Sequence, residues 1–344
     1  DCSSDVCSSD LMTPNKIWPE KSIVYIAYGP IDWAPYDTAL GGSEQAIVAL
    51  SSCWAAKGHE VTVYSRVPSL NYQGVTYEPF NKFNVNDAFE TVIIWRSPNF
   101  GVLPRIVANK IYLDLHDEPL SNYEMLLPIK HKIAAIMTKS QFQRSCLPSG
   151  LQDCARVVPN GLDDKFLTYQ PVKEGRKRTK IIYASSYDRG LLVLLLEIFP
   201  FIRKYVPEAE LHIYYGRGLL DDHFLMLLNY ALKQENVYEH GRCNCEDLFE
   251  IRKEAGIHCY PLATYETDCL SIKESVLAGC IPVVSKRGVF LERDYVLATT
   301  SNEEMIALLV CLMTDENFYN KAWEEVQNQR SSISSWETIA NSWF

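Results

Sequence analysis

The chain has 344 residues, 47% of them hydrophobic and 22% charged, with a formal net charge of −10. That length suits two domains of about 150 residues each rather than one core, and the composition is that of a globular protein. The acidic balance argues against a nucleic-acid partner, whose phosphates need a basic face; the most apolar run, 190–202, is short and holds Glu197, so it reads as a buried helix and not a membrane span.

In chain order, the first ten residues are a near-perfect tandem, DCSSD-VCSSD, followed by Leu11 and Met12. They lack the basic start and long apolar stretch of a signal peptide. The tandem resembles a translated sequencing-adapter artefact, so the true start is expected at Met12 and 1–20 is expected to be a disordered leader. From Lys21 the pattern alternates. Strands are predicted at 23–28, 61–65, 91–95, 110–115 and 133–138, with a helix over 43–57 closed by Gly58. Short continuous apolar runs separated by helices indicate a parallel sheet covered on both faces.

Between 163 and 180 the pattern stops, which predicts an interdomain linker over 166–179. Its basic cluster Arg176-Lys177-Arg178 reads as a solvated face, with contact to an anionic membrane as the alternative. A second unit then begins, with strands at 180–184, 210–215, 236–239, 256–260 and 281–285. Helical segments follow over 302–314, 316–330 and 335–344. The expected fold is α/β: two Rossmann-like, doubly wound domains, 21–165 and 180–325, facing each other across a cleft at the carboxyl ends of their sheets.

Eleven cysteines, an odd number scattered through predicted core elements, fit a reducing compartment. The location expected is cytoplasmic, with peripheral contact to the inner face of a membrane left open. The lone C-x-C of Cys243 and Cys245 has no second pair at metal-ligand spacing. His212, His240 and His258 fall on separate predicted strands, so no metal site is expected.

Two segments carry chemistry. Gly41-Gly42-Ser43-Glu44 lies between the first strand and the first helix, where glycines let backbone approach a ligand and Ser43 can cap the helix. Free amides there would hold an anion or a sugar hydroxyl. A plain turn explains the same glycines, and the segment is not G-x-G-x-x-G, which counts against a nicotinamide dehydrogenase. Trp33 and Tyr36, in the preceding loop, are aromatic residues that either stack on a ligand or pack locally. The second segment holds Glu266 and Glu274, separated by seven residues. Glu266 falls in a loop after a predicted strand and Glu274 on the next helix. The start of that helix, near Cys269, Leu270 and Ser271, exposes amides suited to a diphosphate.

Together with Val158-Pro159-Asn160-Gly161-Leu162-Asp163 and Arg189-Gly190-Leu191, these segments resemble the retaining glycosyltransferases of GT-B fold with the E-x7-E signature. That large group (glycosyl transferases group 1, family 4-like) includes bacterial mannosyl- and glucosyltransferases of cell-surface polysaccharides. The likeness runs from about Ile23 to the C-terminus. It implies a nucleotide-diphosphate sugar bound by Ser185, Arg189, Glu266, Cys269, Leu270, Ser271 and Glu274, with Glu274 on the ribose. It implies an acceptor (glycan, lipid or small molecule) near Gly41, Gly42, Trp33 and Tyr36. Arg189, Glu266 and His116 would stand at the reacting centre: Arg189 over the diphosphate, Glu266 on hydroxyls of the transferred sugar, His116 facing that sugar. His116 also reads as an ordinary strand-end residue. Hexosyl transfer without metal or other cofactor is implied, as is a last helix, 326–344, crossing back to the first domain.

Two positions depart from the pattern. Ala184-Ser185-Ser186 stands where the family places Gly-Arg, so one of two phosphate cations is missing; Arg217 and Arg242 are the candidates to replace it. Asp268 stands where an aromatic residue or glycine is usual. Two other functions therefore stay open, a non-catalytic nucleotide-sugar-binding protein and a sugar-nucleotide epimerase of the same fold.

Overall fold

The structure is a computed structural model that describes residues 14–344 apart from 30, 31, 99, 120, 121 and 219; the tandem repeat and Met12 lie outside the described residues. The N-terminal half runs β1 (Ser22–Ile26), α1 (Gly42–Ala56), β2 (Glu60–Ser65), β3 (Leu70–Tyr72), β4 (Val75–Pro79), β5 (Ala88–Trp95), β6 (Val107–Asp114), β7 (Ile133–Thr138), α2 (Gln141–Ser145), α3 (Ser149–Gln152) and β8 (Ala155–Val157). Its eight strands lie in the order β3-β4-β2-β1-β5-β6-β7-β8, parallel except for the β3–β4 pair. Every residue of β1 is buried, as a central strand covered on both faces requires.

After the short α4 (Asp164–Leu167), the C-terminal half runs β9 (Lys177–Ala184), α5 (Leu191–Val193), α6 (Phe199–Tyr205), β10 (Glu210–Tyr214), α7 (Asp222–Ala231), β11 (Val237–Gly241), α8 (Cys245–Glu254), β12 (Ala255–Tyr260), α9 (Leu270–Ala278), β13 (Ile281–Ser285), β14 (Leu297–Thr299), α10 (Asn302–Thr314), α11 (Glu316–Asn328) and α12 (Trp336–Asn341). Six parallel strands lie in the order β11-β10-β9-β12-β13-β14. Strand order reverses between β1 and β5 in one sheet and between β9 and β12 in the other. At such a reversal the loops diverge and leave a crevice at the carboxyl ends.

α12 packs on α1 of the other half. The Trp54 indole donates to the Ala340 carbonyl at 3.2 Å, and the Trp54 and Trp343 rings meet edge-on at 5.2 Å. Gly161 permits the return: a Cβ there would fall 2.5 Å from the Trp336 amide nitrogen. No helix of the described residues is long and apolar enough to cross a membrane.

Three expectations change. Residues 14–20, assigned to a disordered leader, pack on the first sheet: Ile17 pairs with Ala88, and buried Trp18 stacks on Phe89 and donates to Asp87. Arg176 is not on a solvated face. It is buried and donates to the carbonyls of Val172, Arg252, Ala255 and Ala278; the last of these ends α9, where a cation suits the helix dipole. The short strands β3, β4, β8 and β14 were also unforeseen, because three to five residues carry too little periodicity to register.

Candidate functional site

The two crevices face each other and enclose a cleft of about 450 Å³. Gly41, Gly42, Glu44, Arg96, His116 and Asp117 line it from one half; Ser185, Arg189, Arg242, Glu266, Ser271 and Glu274 line it from the other.

On the C-terminal side the loops after β9 and β12 interlock. Gly190 has φ 139°, and a Cβ on it would overlap the Pro261 carbonyl oxygen at 1.6 Å, so only glycine fits. The Ala263 amide donates to the Arg189 carbonyl at 3.1 Å. This fixes Arg189, whose Nη1 donates to Glu266 Oε2 at 2.8 Å. The Tyr260 hydroxyl reaches the same oxygen at 3.1 Å, and Ser185 Oγ donates to Tyr260 at 3.0 Å. The Glu266 carboxylate holds the Arg189 guanidinium protonated far above its usual range. α9 starts beside this pair, and its cap residue Cys269 supplies no side-chain bond, which leaves first-turn amides for a ligand.

Glu274 lines the cleft from within α9 and is already paired: buried Arg252 donates from Nη1 to Glu274 Oε2 at 2.6 Å and from Nη2 to Ser271 Oγ at 2.7 Å. Burial pushes the Glu274 carboxyl up despite that partner. Asp268 is neutralised by Lys273 Nζ at 2.7 Å, with Arg293 Nη2 at 3.5 Å. Burial pushes its carboxyl up, but these cations overcome it and hold it below the usual range.

On the N-terminal side α1 begins at Gly42, so Ser43 lies inside the helix; it donates to Glu44 at 3.0 Å and does not make the expected cap. A Cβ on Gly42 would come within 3.2 Å of Leu270 Cδ1, so the starts of α1 and α9 meet across the cleft. Two uncapped helix starts converging on one cavity favour an anionic ligand. His116 Nε2 bonds Asp114 Oδ2 at 3.0 Å, which leaves Nδ1 for the cleft. Asp114 also takes Lys139 Nζ at 2.5 Å and the Tyr25 hydroxyl. Burial raises the Asp114 carboxyl, and Lys139 with His116 outweigh it, so it stays ionised well below the ordinary range.

All the predicted site residues line the cleft except Tyr36, which is exposed outside it. Trp33 lines it but is mostly buried, edge-on to Tyr77. Of the two candidate cations, Arg217 is forked onto Glu239 at 3.0 and 2.8 Å. Arg242 does reach the cleft, donating to the Ala39 carbonyl at 3.0 and 2.6 Å over the Tyr215 ring. Arg96 and Arg252 were missed. Arg96 follows β5 at φ 61° and is forked onto Asp117 at 2.6 and 2.9 Å; a charged residue just past an apolar strand was its one sequence signal. His212 and His240, on separate strands as expected, are neighbours there and stack with ring nitrogens 2.9 Å apart. Among the described residues no group of three or more candidate ligands is arranged to hold a metal ion.

No protein-family description matches the chain, and no curated protein matches it in sequence. Solved structures do match. Sucrose-phosphate synthase from Thermosynechococcus elongatus has a TM-score of 0.73 over 93% of this chain and 96% of its own, at 14% identity. HepE of Anabaena, in complex with UDP and glucose, gives 0.70 over 93% and 97%, at 11% identity. A glycosyltransferase from Rickettsia africae gives 0.69 over 95% and 97%, at 12% identity. The fold is therefore that of the GT-B glycosyltransferases, two Rossmann-like domains with a cleft between them.

Proposed function

We propose that this chain moves a sugar from a nucleoside-diphosphate sugar, held by its C-terminal half, to a hydroxyl of an acceptor held by its N-terminal half, with retention at the anomeric carbon. The observation that carries this is the Arg189–Glu266 pair beside the uncapped start of α9, inside a cleft that both halves line.

In this reading the diphosphate lies against Arg189 and the first amides of α9, which meet the charge that grows on the leaving phosphate. Arg242 supplies the second cation, in place of the arginine absent at Ser185-Ser186. Glu266 accepts from hydroxyls of the sugar, His116 faces it, and Glu274 accepts from the ribose. The acceptor oxygen bonds to the anomeric carbon on the face from which the phosphate departs, the carbon–oxygen bond to phosphate breaks, and the acceptor proton passes to the leaving phosphate oxygen. No protein nucleophile takes part. Domain contacts across the cleft exclude water, so the sugar is transferred and not hydrolysed. HepE of Anabaena is known with UDP-glucose, which supports a nucleotide sugar as donor here.

The test is product analysis by mass spectrometry after incubation with UDP-, GDP- and ADP-sugars and pooled acceptors. Release of one nucleoside diphosphate together with a glycosylated product, lost in Arg189→Ala, supports the proposal. Saturable donor binding without turnover would point to the non-catalytic reading, with Ser185-Ser186 as its cause. No binding of any donor would sink the site assignment.

A further inference from the structure

Three consecutive residues of the loop entering α9 each hold a different part of the site. Glu266 pairs with Arg189, Thr267 Oγ1 donates to the His116 carbonyl at 2.6 Å, and Asp268 Oδ2 accepts the backbone N–H of Asn160 at 2.8 Å. Lys273, one turn into α9, closes a ring: its Nζ donates to Asp268 Oδ2 at 2.7 Å and to the Asn160 carbonyl at 2.8 Å. One ion pair on the C-terminal half thus takes both backbone polar groups of a residue on the N-terminal half. The side chains of Asp268 and Lys273 are 1% and 4% exposed.

A charge pair so deep gains little net stability, since desolvation offsets its attraction, and apolar residues of similar volume would hold the fold as well. What an apolar pair would not do is fix Asn160. That residue is 5% exposed and lines the cleft, and its side-chain amide bonds no described residue; Oδ1 is sealed from water without a partner. A buried amide left unbonded is costly and uncommon in folded proteins. Nδ2 also bonds no described residue and, unlike Oδ1, is not sealed, so it is the end of the amide from which a hydroxyl oxygen of a ligand in the cleft accepts.

We infer that Asn160 hydrogen-bonds a hydroxyl of the transferred sugar, and that Asp268 and Lys273 are the positioning residues that present it there. The inference rests on the donor reading above, which already places Glu266 and His116 at that sugar. Both are tied to residues adjoining Asp268 in the same loop.

Calorimetry on the full chain, with UDP-glucose, GDP-mannose and ADP-glucose and with the matching free nucleoside diphosphates, tests it. For Asn160→Ala the expected result is an unchanged or higher ligand-free melting temperature. Its affinity for the free nucleoside diphosphate stays the same, and the sugar nucleotide binds about tenfold more weakly. Asp268→Phe with Lys273→Leu removes both charges of the pair together, and with them the carboxylate facing Arg293 and the two partners of the Asn160 backbone; it is expected to fold and to show the same selective loss. Should that pair not fold, Asp268→Asn with Lys273→Gln serves in its place. Adding Asn160→Ala to either pair should cost nothing more, because the three act as one unit.

Equal sugar-nucleotide affinity in Asn160→Ala and the wild type overturns the contact, and so does a loss matched for the free nucleoside diphosphate. Wild-type affinity in the charge-free pair overturns the positioning role. If the wild type binds none of the three sugar nucleotides, the donor reading falls and takes this inference with it; failure in Asn160→Ala alone leaves the donor reading standing.

Discussion

Lys139 Nζ lies 2.5 Å from Asp114 Oδ1, and both side chains are essentially removed from water. Asp114 is the acceptor on which His116 and Tyr25 also converge, so the pair fixes the ring that faces the cleft. Lys139→Met strands that carboxylate, and loss of one partner of a buried pair costs about 3–5 kcal/mol. Urea unfolding at neutral pH should show a midpoint lowered accordingly. A change within error would mean that the site lets water in and that the pair does not hold His116.

The same group gives a pH dependence with a definite sign. The Asp114 carboxyl is held below its ordinary range when folded, so its contribution is complete above the unfolded pKa and is lost as pH falls through the folded one. Asp268 is displaced in the same direction. Stability should therefore fall as the solution is taken below the ordinary carboxylate range, and Asp114→Asn should flatten that slope. An acid limb equally steep in the variant would assign it to other carboxylates.

Arg189→Ala removes the guanidinium that lies on Glu266 at the start of α9. If it stabilises the leaving diphosphate, turnover should fall by about 10²–10³, the cost of deleting one preorganised donor to developing charge. Donor affinity should change much less. A loss confined to affinity would place Arg189 in ground-state binding and favour the non-catalytic reading.

These groups were not equally visible in the sequence. Glu266, the start of α9 and Glu274 were legible because a strand, a loop and a helix set their spacing locally. Gly190 and Asn160-Gly161 were legible as motif glycines, although the close backbone approaches that require them are tertiary. Arg252, Arg96 and the Lys273–Asp268 pair were not, since their partners lie on other loops and helices and nothing in the local pattern joins them. Arg176 misled in the opposite sense: a basic run in a polar stretch resembles a solvated linker until the carbonyls at the end of α9 close over it. Trp18 was hidden because it was grouped with the preceding tandem in a stretch expected to be disordered.

Arg242 and Arg217 offer a contrast. Both are exposed, both adjoin glycines, and only Arg242 lines the cleft. Arg242→Ala should weaken binding of a nucleoside diphosphate by roughly tenfold, the scale of one charge-assisted contact. Arg217→Ala, which breaks a surface pair with Glu239, should bind like the wild type. Similar losses in both would indicate general attraction of an anion to a basic edge.

Trp343 is fully buried against the N-terminal half, edge-on to Trp54 at 5.2 Å and 6.1 Å from Tyr112. It lies on the segment after α12 but packs against α1 and β6, so its loss should act on the N-terminal sheet and not on the domain that precedes it in sequence. Trp343→Ala should cost about 3–5 kcal/mol, the range for truncating a buried aromatic. Hydrogen exchange should speed up mainly in α1 and α12, while β9 and β12 keep their protection. The domain arrangement depends on the same contact, so affinity for a donor sugar should fall with it even though Trp343 does not line the cleft. Should exchange quicken in the C-terminal sheet instead, the terminal helix would be a stabiliser of its own domain and not the tie between the two.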